Sequence, residues 1–181
     1  AIVKKIILLI NNKDIRLVLL DLDDTCWSGV IGEDGVNEIY LDTYQKNALK
    51  LIDNLISKTG LLISFHSKNN ENLAKKGITK KLYNYKNLTK KSFKYINWDP
   101  KIKSIKKITN IVNFSKKNIV FFDDNISEIK QVNNFLKKNN CFWIRNSYLF
   151  FSYIKVLHIS NINKIINKKR FKDIKSNIVR E

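Results

Sequence analysis

Five aspartates lie in two clusters, each directly after an apolar run of the chain: Asp21, Asp23, Asp24, Asp123 and Asp124. Carboxylates this close together repel one another, and a hard divalent cation such as Mg²⁺ would remove the repulsion. Mg²⁺ keeps coordination positions for water and for substrate phosphate, so the two clusters together predict a magnesium-dependent phosphoryl-transfer site. One acidic pair alone would more often be a turn or a helix cap. The prediction therefore depends on both clusters reaching the same place in the fold.

Ser67 and Lys101 are candidates for holding the phosphate oxygens. Ser67 follows another apolar run, at 61–65, and offers a hydroxyl. Lys101 begins a helical pattern just after Pro100 and offers a positive charge to a developing anion. Each residue alone also fits an ordinary role, Ser67 as a helix N-cap and Lys101 as a solvated lysine. His66 fits a proton donor or a hydrogen-bonded structural residue about equally well.

Alternating elements must position these residues. Apolar runs predict buried strands at 16–20, 61–65, 95–96, 118–122 and 142–144. Amphipathic patterns predict helices at 44–56, 70–76, 101–112 and 126–136. Strands that alternate with helices indicate an α/β fold with a central parallel sheet. In such sheets ligands bind beyond the carboxyl ends of the strands, where the candidate residues fall.

Length and composition restrict the possibilities further. A chain of 181 residues, 44% of them hydrophobic, can bury one core, and the apolar segment 1–10 is interpreted as part of it. No apolar run is long enough to predict a membrane span. Two cysteines without disulfide or metal-ligand spacing favour a reducing cytoplasm. Because the chain begins at Ala1 and contains no Met, we keep open that it is a piece of a longer protein.

The net charge of +18 suggests a nucleic-acid partner at first sight. Lysine is, however, spread along the whole chain, and aromatic residues do not alternate with the basic ones as on a base-stacking surface. We therefore expect no nucleic-acid partner despite the basic charge, and no membrane partner. A basic surface also suits acidic partners, including acyl carrier proteins and phosphorylated metabolites.

The stretch 21–25, Asp-Leu-Asp-Asp-Thr, resembles the first motif of the haloacid dehalogenase (HAD) superfamily, an apolar strand ending in Asp-x-Asp-x-Thr. Residues similar to the second, third and fourth motifs follow in order: Ser67, Lys101, and Asp123 with Asp124. The resemblance implies a HAD-like Rossmannoid three-layer sandwich, with helices on both faces of a parallel sheet. The gap before Ser67 is too short for a large cap domain and holds one flap, at about 27–42, and one helix.

The same resemblance implies roles for the acidic residues. Asp21 is the expected nucleophile, and Asp23 is its expected general acid–base partner. The expected Mg²⁺ ligands are Asp21, the backbone carbonyl of Asp23 and one carboxylate of the last pair. Of that pair we prefer Asp124 as the direct ligand, with Asp123 in support.

A narrower resemblance, to the FkbH-like domains, spans about 15–144. It is carried by 20–35 (Leu-Asp-Leu-Asp-Asp-Thr-Cys-Trp-Ser-Gly-Val-Ile-Gly-Glu-Asp-Gly), 67–70 (Ser-Lys-Asn-Asn), 96–101 and 121–125. Those domains take a glyceryl unit from 1,3-bisphosphoglycerate, release phosphate and load the acyl group onto an acyl carrier protein thiol for polyketide biosynthesis. The resemblance implies both partners and four substrate-binding residues: Trp27, Gly29, Lys68 and Asn69.

Two departures from the FkbH-like pattern affect the catalytic assignment. Relatives commonly have Asn at the position of Asp24, and some have a cysteine, thought to carry the acyl group, at the position of His66. Here Cys26 lies beside the nucleophile instead, although a small buried apolar role is its ordinary alternative. Three routes stay open: Cys26 carries the acyl group, the carrier thiol attacks directly, or acyl transfer is lost.

We therefore expect one capless domain over 1–181, with a core at about 15–146 and a divergent basic segment at 147–181. Its expected function is glyceryl transfer from 1,3-bisphosphoglycerate to an acyl carrier protein. The alternative is a magnesium-dependent capless phosphatase that acts on a phosphoprotein, a nucleic-acid end or a small phosphometabolite. A third hypothesis, a carrier-binding domain without chemistry, conflicts with the intact motif residues.

Overall fold

The computed structural model describes residues 14–136 and 140–162, together with Ile6, Ile7 and Leu9. Within these residues a five-stranded parallel sheet has the strand order β3-β2-β1-β4-β5. Its strands are β1 (Leu17–Leu20), β2 (Leu62–Ser67), β3 (Phe93–Ile96), β4 (Ile119–Asp123) and β5 (Cys141–Trp143). Because β1 lies between β2 and β4, the residues that follow β1 occupy the middle of the carboxyl edge.

Helices cover both faces of the sheet. They are α1 (Ile31–Glu38), α2 (Thr43–Thr59), α3 (Glu71–Lys81), α4 (Lys86–Lys91), α5 (Lys101–Val112), α6 (Ile126–Leu136) and α7 (Ser147–Asn161). Alternate residues of β1 point to opposite faces, as in any strand. Leu17 and Leu19 join a core with α5 and α6, whereas Val18 and Leu20 join a larger core with α2, α3 and α7. This confirms the expected three-layer α/β sandwich.

Both ends of α2 are capped. At the start of α2, Asp42 and Gln45 form a capping box in which each side chain accepts from the other residue's backbone N–H. At its end Gly60 adopts the left-handed conformation, with φ 61°, which glycine tolerates because it has no Cβ. The predicted bounds of α5 and α6 agree with the structure.

The flap between β1 and α2 holds α1 and returns through a bridge between Ser28 and Tyr40. Gly35 interrupts the helical conformation of α1 with φ 84°. The contiguous residues from β1 to β2 contain this flap and α2 and no inserted domain. The carboxyl edge of the sheet is therefore uncapped, as expected.

α7 packs along α2 and completes the larger core. The ring of Phe150 lies 6.2 Å from that of Phe122 on β4, and Tyr153 lies 6.5 Å from it. The core therefore continues into the segment that the sequence analysis places beyond 146. Residues 163–181 and most of 1–10 lie outside the described residues, although Leu9 is buried. None of the helices in the described part of the chain has the length and hydropathy to span a bilayer.

Candidate active site

The carboxyl ends of β1 and β4 bring the two acidic clusters to one point. A carboxylate oxygen from each of Asp21, Asp123 and Asp124 lies within 4.8 Å of the others. The two strands pair in register, with Leu20 opposite Phe122, so the residues that follow them are held side by side. The fold therefore brings the two acidic clusters together, as the magnesium prediction requires.

Lys101 places a positive charge against these carboxylates. It begins α5, is 6% exposed, and its Nζ lies 2.7 Å from Oδ1 of Asp21 and 2.6 Å from Oδ2 of Asp123. Burial alone would lower the pKa of Lys101, but the two carboxylates raise that pKa above its ordinary value. Lys101 is thus a buried, permanently charged group rather than a solvated lysine.

The two aspartates of the second cluster differ in what their oxygens already bind. Asp123 is fully buried, with Oδ2 against Lys101 and Oδ1 accepting from the N–H of Asn125 at 2.8 Å. Asp124 is half-buried and lines an open cavity. Burial, followed by the charge of Asp21, raises the pKa of Asp124 to about 7. Asp124 is therefore the more available of the pair for an incoming cation.

This group of carboxylates fits a divalent cation. Three carboxylates, from Asp21, Asp123 and Asp124, lie together, and the one ammonium of Lys101 pairs with two of them, so Lys101 offsets only part of the negative charge. Excess negative charge on hard oxygen atoms is what Mg²⁺ requires of its ligands. Asp21 and Asp124 could bind the ion directly, while Asp123 would stabilise the site through Lys101.

Asp23 is held by three N–H donors. Its Oδ1 accepts from the indole of Trp27 at 2.8 Å and from the backbone of Ile31 at 3.2 Å, and its Oδ2 accepts from Nδ2 of Asn69 at 2.7 Å. Burial, with a smaller contribution from the charge of Asp21, nevertheless raises the pKa of Asp23. The carboxyl group is fixed in direction and shifted toward its protonated form, as a general acid requires.

Asn69 links the first two strands at the carboxyl edge. The amide nitrogen that donates to Asp23 also donates to the hydroxyl of Ser67 at 2.9 Å, and Ser67 itself ends β2. Lys68 points away toward α6, where its ammonium lies 2.5 Å from a carboxylate oxygen of the buried Glu128. The Ser-Lys-Asn stretch therefore ties β2 to β1 on one side and to α6 on the other.

Trp27 and Gly29 shape the loop around Asp23. Trp27 is fully buried, and its indole reaches Asp23 rather than the open side of the site. Gly29 has φ 96°, and its N–H donates to Oδ1 of Asp24 at 2.9 Å. In this structure Trp27, Gly29 and Asn69 hold the acid–base loop in place, and their contact with a substrate stays a prediction.

Cys26 and His66 are both fully buried. Burial, together with the charges of Asp21 and Asp23, raises the pKa of the Cys26 thiol well above its ordinary value, so the nucleophilic thiolate is suppressed. Nδ1 of His66 lies 2.8 Å from Oγ of Ser104. Burial and the charge of Lys101 lower the pKa of His66 to about 3. A neutral, structural role is therefore favoured for His66.

A cavity of about 620 Å³ opens beside Asp124. Its walls include Asp24 and Ser28 from the flap and Arg145 and Ser147 from the segment after β5. Arg145 was not predicted from the sequence, although the criterion that selected Asp21 and Asp123, a position directly after a predicted strand, applies to it. It follows the carboxyl end of the predicted strand 142–144.

The comparisons with known proteins point to one fold. The N-terminal part of a Bacteroides fragilis protein, which contains a phosphatase domain complexed with Mg, is 26% identical, with a TM-score of 0.65 over 87% of this chain. This chain spans 43% of that structure's length. A 3-deoxy-D-manno-octulosonate 8-phosphate phosphatase from Yersinia pestis is 13% identical, with a TM-score of 0.56 over 84% of this chain and 86% of its own.

A third similar structure is a hydrolase from Legionella pneumophila, assigned to subfamily III A of the HAD superfamily. It is 7% identical, with a TM-score of 0.59 over 98% of this chain and 97% of its own. No family model and no curated protein sequence matches the chain. The fold is therefore an α/β sandwich of the HAD-like type, as in the Legionella hydrolase. The acidic cluster and the Mg complex of the Bacteroides structure agree with the predicted magnesium cofactor.

Proposed function

We propose that this chain is a magnesium-dependent phosphohydrolase of the HAD type, with Asp21 as its nucleophile. The observation that carries the proposal is the convergence of Asp21, Asp123 and Asp124 around the buried ammonium of Lys101. That group lies at an uncapped sheet edge, next to a cavity that a phosphorylated compound could enter. A purely structural cluster would not require so much uncompensated charge at an open surface.

In the proposed reaction a carboxylate oxygen of Asp21 attacks phosphorus. A new oxygen–phosphorus bond forms, and the bond from phosphorus to the leaving oxygen breaks with its electron pair going to that oxygen. Lys101 and the hydroxyl of Ser67 stabilise the negative oxygens of the phosphoryl group. A bound Mg²⁺ would neutralise further charge on these oxygens and would be held by Asp21 and Asp124, with Asp123 in support.

Asp23 handles the protons of both half-reactions. Its raised pKa favours the acid form, which donates a proton to an alkoxide leaving group. The resulting carboxylate then takes a proton from the water that attacks the phosphorylated Asp21, and inorganic phosphate is released. Trp27, Ile31 and Asn69 keep the carboxyl group of Asp23 in one orientation throughout.

The test is phosphate release from small phosphate esters such as p-nitrophenyl phosphate. We expect activity that requires Mg²⁺ and is lost with EDTA. Asp21→Asn replaces the attacking carboxylate by a neutral amide and should lower kcat/KM by about 10³-fold or more. Asp99→Asn is the matched control, because Asp99 forms an exposed ion pair with Lys103. Full activity in the Asp21 variant, or none in the metal-loaded protein, would contradict the proposal.

Glyceryl transfer from 1,3-bisphosphoglycerate to an acyl carrier protein is the second candidate. The FkbH-like resemblance supports it, because the stretch 20–35 that carries the resemblance also builds the loop holding Asp23. A thioester forms only if the carrier sulfur attacks the acyl carbon and the carbon–oxygen bond to phosphate breaks, so phosphate leaves with the electron pair. Attack by Asp21 on the phosphorus of the acyl phosphate breaks a different bond and releases 3-phosphoglycerate. A glyceryl thioester also requires loss of the ester phosphate on carbon 3, and attack by Asp21 on that phosphorus would supply this step.

The burial of Cys26 favours direct attack by the carrier thiol over a cysteine shuttle. Intact-protein mass spectrometry after incubation with 1,3-bisphosphoglycerate, Mg²⁺ and a carrier protein separates the candidates. A 3-phosphoglyceryl or glyceryl adduct on the carrier, retained in Cys26→Ala, would support direct transfer. 3-Phosphoglycerate that forms faster than with Asp21→Asn, without an adduct on the carrier, would leave the phosphohydrolase as the function.

A further inference from the structure

The cavity beside Asp124 has an unusual distribution of charge. Asp24 and Asp124 both line it, and a carboxylate oxygen of Asp21 lies within 4.8 Å of one of Asp124. Lys101 is already shared between two buried carboxylates, and Lys68 is paired with Glu128. Lys101 and a bound Mg²⁺ would neutralise the phosphoryl group at Asp21, so a second anionic group in this cavity needs a further cation.

Arg145 supplies such a cation. It lines the cavity and is exposed, and no carboxylate lies within ion-pair distance of it among the described residues. Its guanidinium lies 5.4 Å from the ring centroid of Trp143, a cation–π contact that limits its motion. Arg145 thus offers several N–H donors that are not engaged by a charged partner.

A hydrogen bond from Trp143 connects the position of Arg145 to the acidic site. Nε1 of Trp143 donates to the backbone carbonyl of Asp124 at 2.7 Å, so the aromatic ring beneath Arg145 is bonded to the candidate metal ligand itself. The fifteen-residue helix α7 begins at Ser147, which also lines the cavity. Its positive N-terminal end adds to the potential of the guanidinium.

We propose that Arg145 is a specificity-determining residue that binds a second anionic group, a carboxylate or a phosphate, on the leaving-group side of the substrate. This inference rests on the proposed phosphohydrolase function. The preferred substrates are then small phosphate compounds with two anionic ends. The phosphoryl end lies at Asp21 and the other end at Arg145, which bonds such groups through paired N–H donors.

The test compares three compounds that differ in the second group. Glycerol 3-phosphate has a neutral hydroxymethyl end, 3-phosphoglycerate has a carboxylate in its place, and propane-1,3-diol bisphosphate has a second phosphate. We expect a kcat/KM for at least one of the two compounds with a second anionic group that is about tenfold or more above that for glycerol 3-phosphate. Arg145→Ala should remove this preference while leaving glycerol 3-phosphate within about twofold, and Arg145→Lys should restore part of it.

Lys155→Ala is the control for a loss of one positive charge, because Lys155 lies further along α7 against Phe151. It should keep the wild-type preference. Equal activity on all three compounds in the wild-type protein, or equal loss on all three in Arg145→Ala, would overturn the inference while the phosphohydrolase function stood. A carboxylate preference without a phosphate preference would identify the group that Arg145 binds.

A binding measurement separates this inference from the proposed function. Calorimetric titration of Asp21→Asn with the same compounds and Mg²⁺ should show tighter binding of a compound with a second anionic group than of glycerol 3-phosphate. Adding Arg145→Ala should abolish the difference. If a compound with a second anionic group binds more tightly but the wild-type protein hydrolyses none of the three, the anion site stands and the phosphohydrolase function is wrong. If all three compounds bind equally tightly, the anion site is wrong.

Discussion

At the scale of single residues, loss of Lys101 should lower the free energy of unfolding most, because its ammonium lies against two buried carboxylates. Lys101→Met leaves Asp21 and Asp123 without their cation, and breaking a buried ion pair in this way costs about 3 kcal/mol or more. We expect this loss in urea unfolding at pH 8 with EDTA, with partial recovery in Mg²⁺. The control Lys103→Met removes an exposed pair and should cost less than about 1 kcal/mol. Equal losses would refute the assignment.

Asp23 gives a second prediction at this scale, and it concerns the leaving group. An alkoxide needs a proton in order to leave, whereas the carboxylate released from an acyl phosphate is stable without one. Asp23→Asn should therefore lower kcat/KM on glycerol 3-phosphate by about 10²–10⁴-fold and have a much smaller effect on acetyl phosphate. Steady-state kinetics on the two compounds measure the difference. Equal losses would show that Asp23 acts through the loop structure and not as an acid.

The site residues that lie at strand ends were predictable from the sequence. Asp21, Ser67 and Asp123 each lie at or directly after the end of a buried strand, and the sheet rule alone brings such positions together. The contacts of Asn69 and Trp27 with Asp23 were not predictable. A hydrogen bond between residues 46 positions apart depends on how side chains pack after the sheet has formed.

At the scale of elements, the flap depends on the backbone conformation of Gly29. A Cβ there would lie 2.8 Å from Oδ2 of Asp34, at a φ of 96°. Gly29→Ala should therefore cost about 1–2 kcal/mol of unfolding free energy and weaken activity by loosening the loop around Asp23. Gly32→Ala, at a position inside α1 where a Cβ makes ordinary contact, should be neutral or slightly stabilising. Chemical denaturation of both variants tests this, and a larger loss for Gly32→Ala would contradict it.

Long amphipathic helices and continuous apolar strands were predictable, whereas short or unusual elements were not. α1 contains Gly35 in a non-helical conformation, and α4 is six residues long, so neither gives a clear helical period. α7 is apolar nearly all round, because one side packs on α2 and another on the sheet, and this hides the 3.6-residue pattern. Tertiary packing, not local propensity, defines these helices.

At the scale of the whole molecule, metal binding should be linked to pH through Asp124. Its pKa of about 7 in the metal-free protein lies above the ordinary value, so the folded protein retains a proton that the unfolded chain has lost. The stability of the metal-free protein should therefore fall as pH rises toward and through 7. Mg²⁺ must displace that proton, so its affinity should rise about tenfold between pH 6 and pH 8.

Calorimetric Mg²⁺ titration at the two pH values measures this linkage. Asp124→Asn should weaken binding and flatten its pH dependence over the same range. His66 acts in the opposite direction on stability, since its pKa of about 3 means that the folded state loses stability as pH falls below about 6.5. Metal affinity that does not change with pH would show that Asp124 is not a direct ligand.

The central position of β1 also has a consequence for slow opening motions. β1 is hydrogen-bonded to a parallel neighbour on each side, and each of its residues is fully buried. Its amide protons should exchange with deuterated solvent only when the entire domain unfolds, at rates set by the global free energy. The backbone that carries Asp21 should then be among the slowest-exchanging segments of the described residues.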